Sequence, residues 1–131
     1  MVIDTSAIVA ILLREPEVEA LAALIETAPS RLLSAASLLE ATMVIEARKG
    51  AEGGRDLDLL IYRGEIEIVA VDREQAEVAR IAWRRFGKGR HPAALNYGDC
   101  FAYALAKVSG APLLFKGGDF SLTDIETVSL G

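Results

Sequence analysis

Short apolar runs alternate with amphipathic helical stretches along the whole chain, and this alternation limits the folds available to it. Strand-like runs occur at 2–3, 31–33, 66–71 and 113–115, with helical patterns between them. Such alternation is typical of a parallel sheet that carries helices on both faces. We therefore expect an α/β domain of three layers, α/β/α, built on a short and mainly parallel central sheet.

The helical stretches have recognisable start and stop signals. We expect a first helix from Ala7 to Leu13, capped by Thr5 or Ser6. Pro16 suits the first turn of a second helix. Further helices are expected at about 34–49, around 57–61, at 73–86 and at 97–109, and a last short strand at 127–130. The glycines at 50, 53 and 54 are expected to break the helical pattern.

The composition fits a single folded domain. With 131 residues, 52% of them hydrophobic, the chain can form one core, and we expect one domain spanning residues 1–131. Its single cysteine, Cys100, has no partner for an intrachain disulfide, as is typical of a reducing compartment. No signal peptide is visible, and no apolar run reaches the ~18 residues that a membrane span requires. We therefore expect a cytoplasmic protein without membrane contact.

The charge of the chain is unevenly distributed. A net charge of −5 argues at first against a nucleic-acid partner, because phosphates repel acidic surfaces. The segment from Arg80 to His91 nevertheless contains five basic residues and no acidic one. This basic strip could guide a polyanion, or its residues could complement a helix dipole.

Two aspartates follow predicted strands. Asp4 ends the first strand, and Asp119 lies just past the run at 113–115. Because ligands of parallel sheets bind outside the carboxyl ends of the strands, we expect both carboxylates at one edge of the sheet. Each also has a structural alternative, since aspartates commonly cap helices.

Glu40 is more informative, because nearly all of its neighbours in the sequence are apolar. A buried carboxylate without a partner is costly, so Glu40 is expected to have one. Ser37 and Glu40 match a Ser-x-x-Glu capping box, which would satisfy the carboxylate without a ligand. We favour Ser34 as the cap, which places Glu40 inside the helix.

Asp99 is the fourth acidic candidate. It falls in the first turn of the predicted 97–109 helix, where a negative charge also complements the helix dipole, and Asn96 could be the cap. Four gathered carboxylates would repel one another, and a hard dication such as Mg²⁺ or Mn²⁺ would relieve that repulsion. With one histidine and one cysteine, the chain offers no cluster for zinc.

Four blocks of sequence, taken in order, resemble one known family. They are Asp-Thr-Ser-Ala at 4–7, Glu40 in the third helix, Leu-Asn-Tyr-Gly-Asp-Cys-Phe-Ala-Tyr-Ala at 95–104 and Leu-Leu-Phe-Lys-Gly-Gly-Asp-Phe at 113–120. This pattern is similar to that of VapC toxins, the PIN-domain ribonucleases of bacterial and archaeal toxin–antitoxin pairs. The resemblance extends over essentially the whole chain.

The resemblance implies a role for each acidic residue. Asp4 and Asp99 would be the principal Mg²⁺ ligands, Glu40 would support the metal or its waters, and Asp119 would complete the quartet. Mn²⁺ would substitute for Mg²⁺ in such a site. The implied reaction is hydrolysis of RNA, and the implied partners are a VapB-type antitoxin and a second copy of the toxin.

The resemblance also covers neighbouring positions. Ser6 and Asn96 match polar positions that hold waters or orient carboxylates. Relatives often have a polar or acidic residue where this chain has Gly118, and this difference would loosen the loop that presents Asp119.

Two other functional classes compete with the nuclease. One is a phosphotransfer domain, because Asp4 at a strand end and Lys116 after a later strand superficially suit it. An aspartate-nucleophile phosphatase would, however, need a second acid two residues after Asp4, where Ser6 stands. The other is a non-catalytic PIN-like binding module, against which the presence of all four acids argues.

Overall fold

Four short strands form one parallel sheet in the computed structural model, which describes residues 1–130. They are β1 (Val2–Ile3), β2 (Leu32–Ser34), β3 (Glu67–Val69) and β4 (Leu113–Leu114). The strand order is β3–β2–β1–β4. Val2 is in register with Leu32 on one side and with Leu113 on the other, so β1 lies inside the sheet.

Alternate residues of the strands enter two separate hydrophobic cores. Ile3 and Leu114 pack into one core, while Val2 and Leu113 pack into the other. Successive side chains of a strand point to opposite faces, so each core lies on its own face of the sheet. The expected three-layer α/β/α architecture with a parallel sheet is therefore confirmed.

Five α-helices of the described residues cover the two faces. They are α1 (Thr5–Leu12), α2 (Val18–Thr27), α3 (Ala35–Arg63), α4 (Arg73–Phe86) and α5 (Tyr97–Ser109), and a 3₁₀ turn follows at Phe120–Leu122. Residues of α1, α2 and α3 build the core on one face, and residues of α4 and α5 build the other. The three connections between successive strands contain α1 and α2, then α3, then α4 and α5, and each connection returns the chain so that all strands run in the same direction.

Gly50 separates the two halves of α3. Its backbone has φ 65° and ψ −159°, which interrupts the helix in a region that favours glycine. The expected break at this position is correct. The helix resumes at once, however, so the glycines at 53 and 54 lie inside the second half instead of in a loop.

Three sequence expectations about the elements were wrong. The last strand, expected at 127–130, is reduced to a single parallel bridge between Thr127 and Leu113. The second helix begins at Val18, so Pro16 lies before its first turn. The first helix begins at Thr5 instead of Ala7, because Asp4 is its cap.

Two side chains with the helical spacing of core residues, Trp83 in α4 and Val108 in α5, reach solvent. Trp83 is 44% exposed and Val108 is 39% exposed. Helical spacing identifies the inward side of a helix, but it does not report how far a neighbouring helix covers that side. No helix within residues 1–130 is long and apolar enough to cross a membrane.

Candidate functional site

Asp4 follows β1 directly and is the N-cap of α1. Its backbone N–H donates to the Leu114 carbonyl at 2.9 Å, which fixes the residue to β4. Its carboxylate accepts a hydrogen bond from the Ser6 N–H at 3.0 Å, and the residue is only 4% exposed. The cap expected from Thr5 or Ser6 is thus supplied by Asp4, because its carboxylate reaches the free N–H two residues later.

Ser6 connects the two strand ends that carry the aspartates. Its hydroxyl accepts a hydrogen bond at 2.9 Å from the N–H of Lys116, which comes soon after β4. The same residue donates its own N–H to Asp4. Ser6 therefore lies where it can orient the Asp4 carboxylate and the loop that leads to Asp119.

Glu40 lies inside α3, as the choice of Ser34 for the cap requires. The Ser34 hydroxyl accepts from the Ala36 N–H at 3.2 Å, and the Ser37 hydroxyl has no partner, so the alternative capping box does not form. Glu40 is half-buried, less than its apolar neighbours in the sequence suggested. Its carboxylate lies against Gly98 in the first turn of α5.

Asp99 is held in the first turn of α5 by a capping box. The Asn96 side chain accepts from the Asp99 N–H at 2.9 Å, and Asp99 Oδ2 accepts from the Asn96 N–H at 3.0 Å. The structural alternative for Asp99 is therefore present in the molecule. It occupies only one carboxylate oxygen, and the other oxygen remains available to a ligand.

Asp119 precedes the 3₁₀ turn and makes no side-chain capping bond to it. The capping alternative is therefore not realised for Asp119, because the backbone of the turn does not use its carboxylate. Asp119 is exposed and follows Gly117, whose φ of 114° is a conformation that favours glycine, and Gly118.

The four acidic side chains act on one another electrostatically. The pKa of Asp99 is raised to about 6. Burial is the largest cause, and the negative charges of Asp4, Asp119 and Glu40 contribute to the same rise. Burial also raises the pKa of Asp4, with a further contribution from the charge of Glu40. The carboxylates before α1, in α3, in α5 and in the loop after β4 are therefore near enough for their charges to interact, and we refer to this group as the acidic pocket.

The donors of this pocket fit a hard divalent cation. Carboxylate oxygens suit Mg²⁺ and Mn²⁺, and a dication would offset both the cost of burying these charges and the repulsion between them. Within residues 1–130, no three acidic, histidine or cysteine side chains surround one point closely enough to hold an ion by themselves. Mg²⁺ in proteins is usually held by one or two carboxylates and several waters.

A groove of about 690 Å³ is lined by residues of α4, of α5 and of the segment that joins them. Aromatic and basic side chains line much of it: Trp83, Tyr97, Phe101, Arg80, Arg84 and Lys88. Asn96, Tyr97 and Cys100 also line it, and these residues flank Asp99 in the sequence. The groove therefore extends to the first turn of α5, which carries Asp99.

The basic strip of the sequence divides into paired and unpaired side chains. Arg84 and Lys88 have no ion pair or cation–π partner in the part of the chain that the structure describes, and both line the groove. The other three have a partner: Arg80 with Glu77 at 3.1 Å, Arg85 with Asp124 at 3.4 Å and Arg90 over the Trp83 ring at 4.1 Å. Only Arg84 and Lys88 thus offer charge that the fold does not already use.

Two charged clusters were missed by the sequence analysis. Asp124 accepts a hydrogen bond from the Tyr103 hydroxyl at 2.6 Å and pairs with Lys107 at 2.9 Å, which ties the segment after the 3₁₀ turn to α5. Lys116 contacts Glu15 and lies 3.0 Å from Glu17. Each cluster joins two segments that are far apart in the sequence, so no local pattern predicts it.

Comparison with known proteins identifies the family. The PIN domain family matches residues 1–126. The chain is 60% identical over 128 residues to "Ribonuclease VapC" of Mycolicibacterium smegmatis, covering 98% of this chain and 99% of that protein. It is 59% identical over 130 residues to "Ribonuclease VapC30" of Mycobacterium tuberculosis, covering 99% of both.

Solved structures share the fold at low sequence identity. The crystal structure of Mycobacterium tuberculosis VapC20, described as a sarcin-ricin loop cleaving toxin, superposes with a TM-score of 0.78 at 18% identity over 97% of both chains. VapBC2 from Rickettsia felis, bound to a promoter DNA fragment, gives a TM-score of 0.73 at 16% identity over 97% of this chain and 96% of that chain. The family match and the two close relatives favour a nuclease over a phosphotransfer domain, and the chain belongs to the PIN-domain family and, within it, to the VapC ribonucleases.

Proposed function

We propose that this protein is a Mg²⁺-dependent endoribonuclease that acts as the toxin of a type II toxin–antitoxin pair. The observation that supports the metal dependence is the grouping of the four carboxylates: Asp99 is buried, and the negative charges of Asp4, Asp119 and Glu40 add to the effect of that burial in raising its pKa to about 6. The VapC relatives are named as ribonucleases, which supports the reaction. Mn²⁺, which prefers similar ligands, is expected to replace Mg²⁺.

Each acidic residue has a distinct part in the proposed mechanism. Asp4 and Asp99 would hold the ion, because both are fixed by backbone hydrogen bonds that preset their orientation. Asp119 would hold a coordinated water from the exposed side of the pocket. The Glu40 carboxylate, which has no hydrogen-bond partner of its own in the described chain, would accept the proton of the attacking water.

Bound Mg²⁺ would lower the pKa of a water and offset the negative charge that develops on the attacked phosphate. The phosphodiester of RNA would be cleaved by in-line attack of that water on phosphorus. Ser6 contributes by holding Asp4 and the backbone of Lys116 in fixed positions.

We further propose that the substrate is a transfer RNA or another RNA of the translation apparatus. Cleavage of such an RNA would arrest growth, as expected of a toxin. The groove between α4 and α5 would bind a single-stranded part of the substrate, because aromatic faces stack on bases and basic side chains bind phosphates.

The proposed partners follow from the same assignment. A VapB-type antitoxin would cover the acidic pocket, and one fold relative is itself a VapBC complex. The toxin is expected to form a homodimer, and we expect both proteins to meet in the cytoplasm. Copurification with an antitoxin encoded beside the gene would test the first of these partners.

Metal removal gives the direct test of the reaction. We expect purified protein to cleave RNA with Mg²⁺ or Mn²⁺ and to lose at least about 100-fold of this activity in EDTA, since the ion supplies several kcal/mol of transition-state stabilisation. Gel analysis of end-labelled RNA would measure this, with Mg²⁺ added back as the control. Cleavage that persists in EDTA would contradict the proposal. Retained antitoxin binding without Mg²⁺ binding by calorimetry would favour the non-catalytic module.

The groove provides a second prediction. The double substitution Arg84→Glu and Lys88→Glu should weaken RNA binding about 10-fold or more at low salt, because two phosphate contacts become repulsive. Affinity would be measured by fluorescence anisotropy in the Asp99→Asn background, where RNA is not cut. The double substitution Arg48→Glu and Arg55→Glu is the matched control, since it makes the same change of charge at two exposed α3 residues that have no ion pair within residues 1–130. Equal loss in the control would show that net charge, not the groove, governs binding.

A further inference from the structure

The Glu40 carboxylate occupies space that a side chain at position 98 would fill. A Cβ atom built on Gly98 would lie 2.6 Å from both Cδ and Oε1 of Glu40, and closer still to Oε2. All three distances are far inside van der Waals contact. The observed position of the carboxylate is therefore possible only because residue 98 has no side chain.

Nothing else in the described chain holds Glu40 in this place. Its carboxylate makes no hydrogen bond or ion pair within residues 1–130, and it lies at the far end of a flexible side chain. The first turn of α5 has backbone N–H groups without helical partners, and their partial positive charge favours a nearby carboxylate. Contact with the backbone at Gly98 thus brings Glu40 to the helix end that also carries Asp99.

Helix stability does not explain a glycine at this position. Gly98 lies within α5 and its φ is not positive, so alanine could adopt the same backbone conformation. Glycine is a poorer helix former than alanine. The close approach of Glu40 supplies the physical reason for glycine here.

We propose that Gly98 is a positioning residue for Glu40: by lacking a Cβ atom, it allows the Glu40 carboxylate to lie against the first turn of α5 beside Asp99. This inference rests on the proposed nuclease function, in which Glu40 accepts a proton from the attacking water. A methyl group at position 98 would displace the carboxylate from the pocket without disturbing the helix.

The chain contains a matched control. Gly54 lies inside the second half of α3, and a Cβ atom there would lie 2.5 Å from Oε2 and 3.1 Å from Cδ of Glu46. Gly54→Ala therefore makes the same chemical change, a helical glycine against a glutamate carboxylate, on residues that have no part in the acidic pocket.

We expect Gly98→Ala to fold with an unchanged or higher melting temperature and to lower kcat by about 10- to 100-fold, the range seen when a supporting group of a metal site is lost. The KM for RNA should change less than about 3-fold, because the groove is intact. Gly54→Ala should retain wild-type kcat. Mn²⁺ titration by calorimetry without RNA should show weaker binding for Gly98→Ala only.

Glu40→Asp tests the steric basis. Aspartate is shorter by one C–C bond, about 1.5 Å, and withdraws the carboxylate from position 98. We expect Glu40→Asp to lower kcat in the wild-type background and to raise it in the Gly98→Ala background. The inference would be overturned if the losses of kcat in Glu40→Asp and in Gly98→Ala simply multiply in the double variant. It would also be overturned if Gly98→Ala keeps the kcat of the wild type.

The outcomes separate this inference from the proposed function. Cleavage by the wild type with no effect of Gly98→Ala on kcat or Mn²⁺ binding would reject the role of Gly98 and leave the nuclease intact. No cleavage by the wild type, with weaker Mn²⁺ binding in Gly98→Ala, would reject the nuclease and support the positioning of Glu40. A wild type that neither cleaves RNA nor binds Mn²⁺ would reject both.

Discussion

Asp99→Asn is expected to abolish RNA cleavage, with a loss of about 10³-fold, because the ion that Asp99 would hold supplies several kcal/mol of transition-state stabilisation. The substitution should leave the fold intact, because an asparagine oxygen can accept the same hydrogen bond from the Asn96 N–H. Only the negative charge that would hold the metal is lost. Cleavage rates at saturating Mg²⁺ would measure the effect, and circular dichroism would verify the fold.

Asp4→Asn should behave in the same way. Asparagine is as good an N-cap as aspartate, so the bond from the Ser6 N–H is retained while the charge is removed. Asp58→Asn is the control, since Asp58 is exposed on α3. If the aspartate variants of the pocket cleave RNA as fast as the wild type, the activity comes from a contaminating nuclease and the proposed active site is wrong.

The second large effect is on stability. Without metal, Asp99→Asn should be more stable than the wild type at pH 7. Folding raises the pKa of Asp99 in the wild type to about 6, which means that its charged carboxylate is unfavourable in the folded state. The full shift corresponds to about 3 kcal/mol, but the side chain is partly exposed to solvent, so we expect about 1–2 kcal/mol. Urea denaturation would measure the difference.

The pH dependence of this effect has a definite sign. The pKa of Asp99 is about 6 in the folded protein and ~3.9 in an unfolded chain, so the folded protein binds more protons between these values. The stability of the metal-free wild type should therefore fall as the pH rises through this window. The advantage of Asp99→Asn should shrink between pH 7 and about pH 5. An advantage that grows towards acid would contradict the raised pKa.

Mg²⁺ should reverse the ranking at pH 7. A ligand that binds only the folded state stabilises it according to its concentration relative to the Kd, and the wild type would gain more than the variant. Equal stabilisation of both proteins by Mg²⁺ would show that Asp99 is not a ligand.

Local chemistry explains why much of the molecule could be predicted from the sequence. The alternation of apolar runs and helical periods led to the parallel three-layer fold, and Ser34 was correctly chosen as the cap of α3. That choice placed Glu40 inside the helix. Both predictions depend on interactions between residues close in sequence, which is where patterns of residue types are informative.

Other features depended on distant neighbours and were missed or misjudged. Trp83 has a core-like spacing in α4 but lines an open groove, because α5 does not close over it. The expected strand at 127–130 is only a bridge, because its pairing with β4 is confined to residues around Leu113. The capping bonds considered for Asp4 and Asp99 are also present in the structure, because a carboxylate can accept a backbone hydrogen bond and face the pocket at the same time.

The sequence by itself determined the order of elements, the parallel sheet and the four acidic residues to consider, because strand and helix periods and the carboxyl ends of strands can be located from local patterns. Only the tertiary structure decided that the carboxylates before α1, in α3, in α5 and in the loop after β4 act on one another. It also decided that the Glu40 carboxylate lies in the space that a side chain at Gly98 would fill. These relations are set by packing between elements far apart in the chain, and distances of this kind have no signature in the residues nearby.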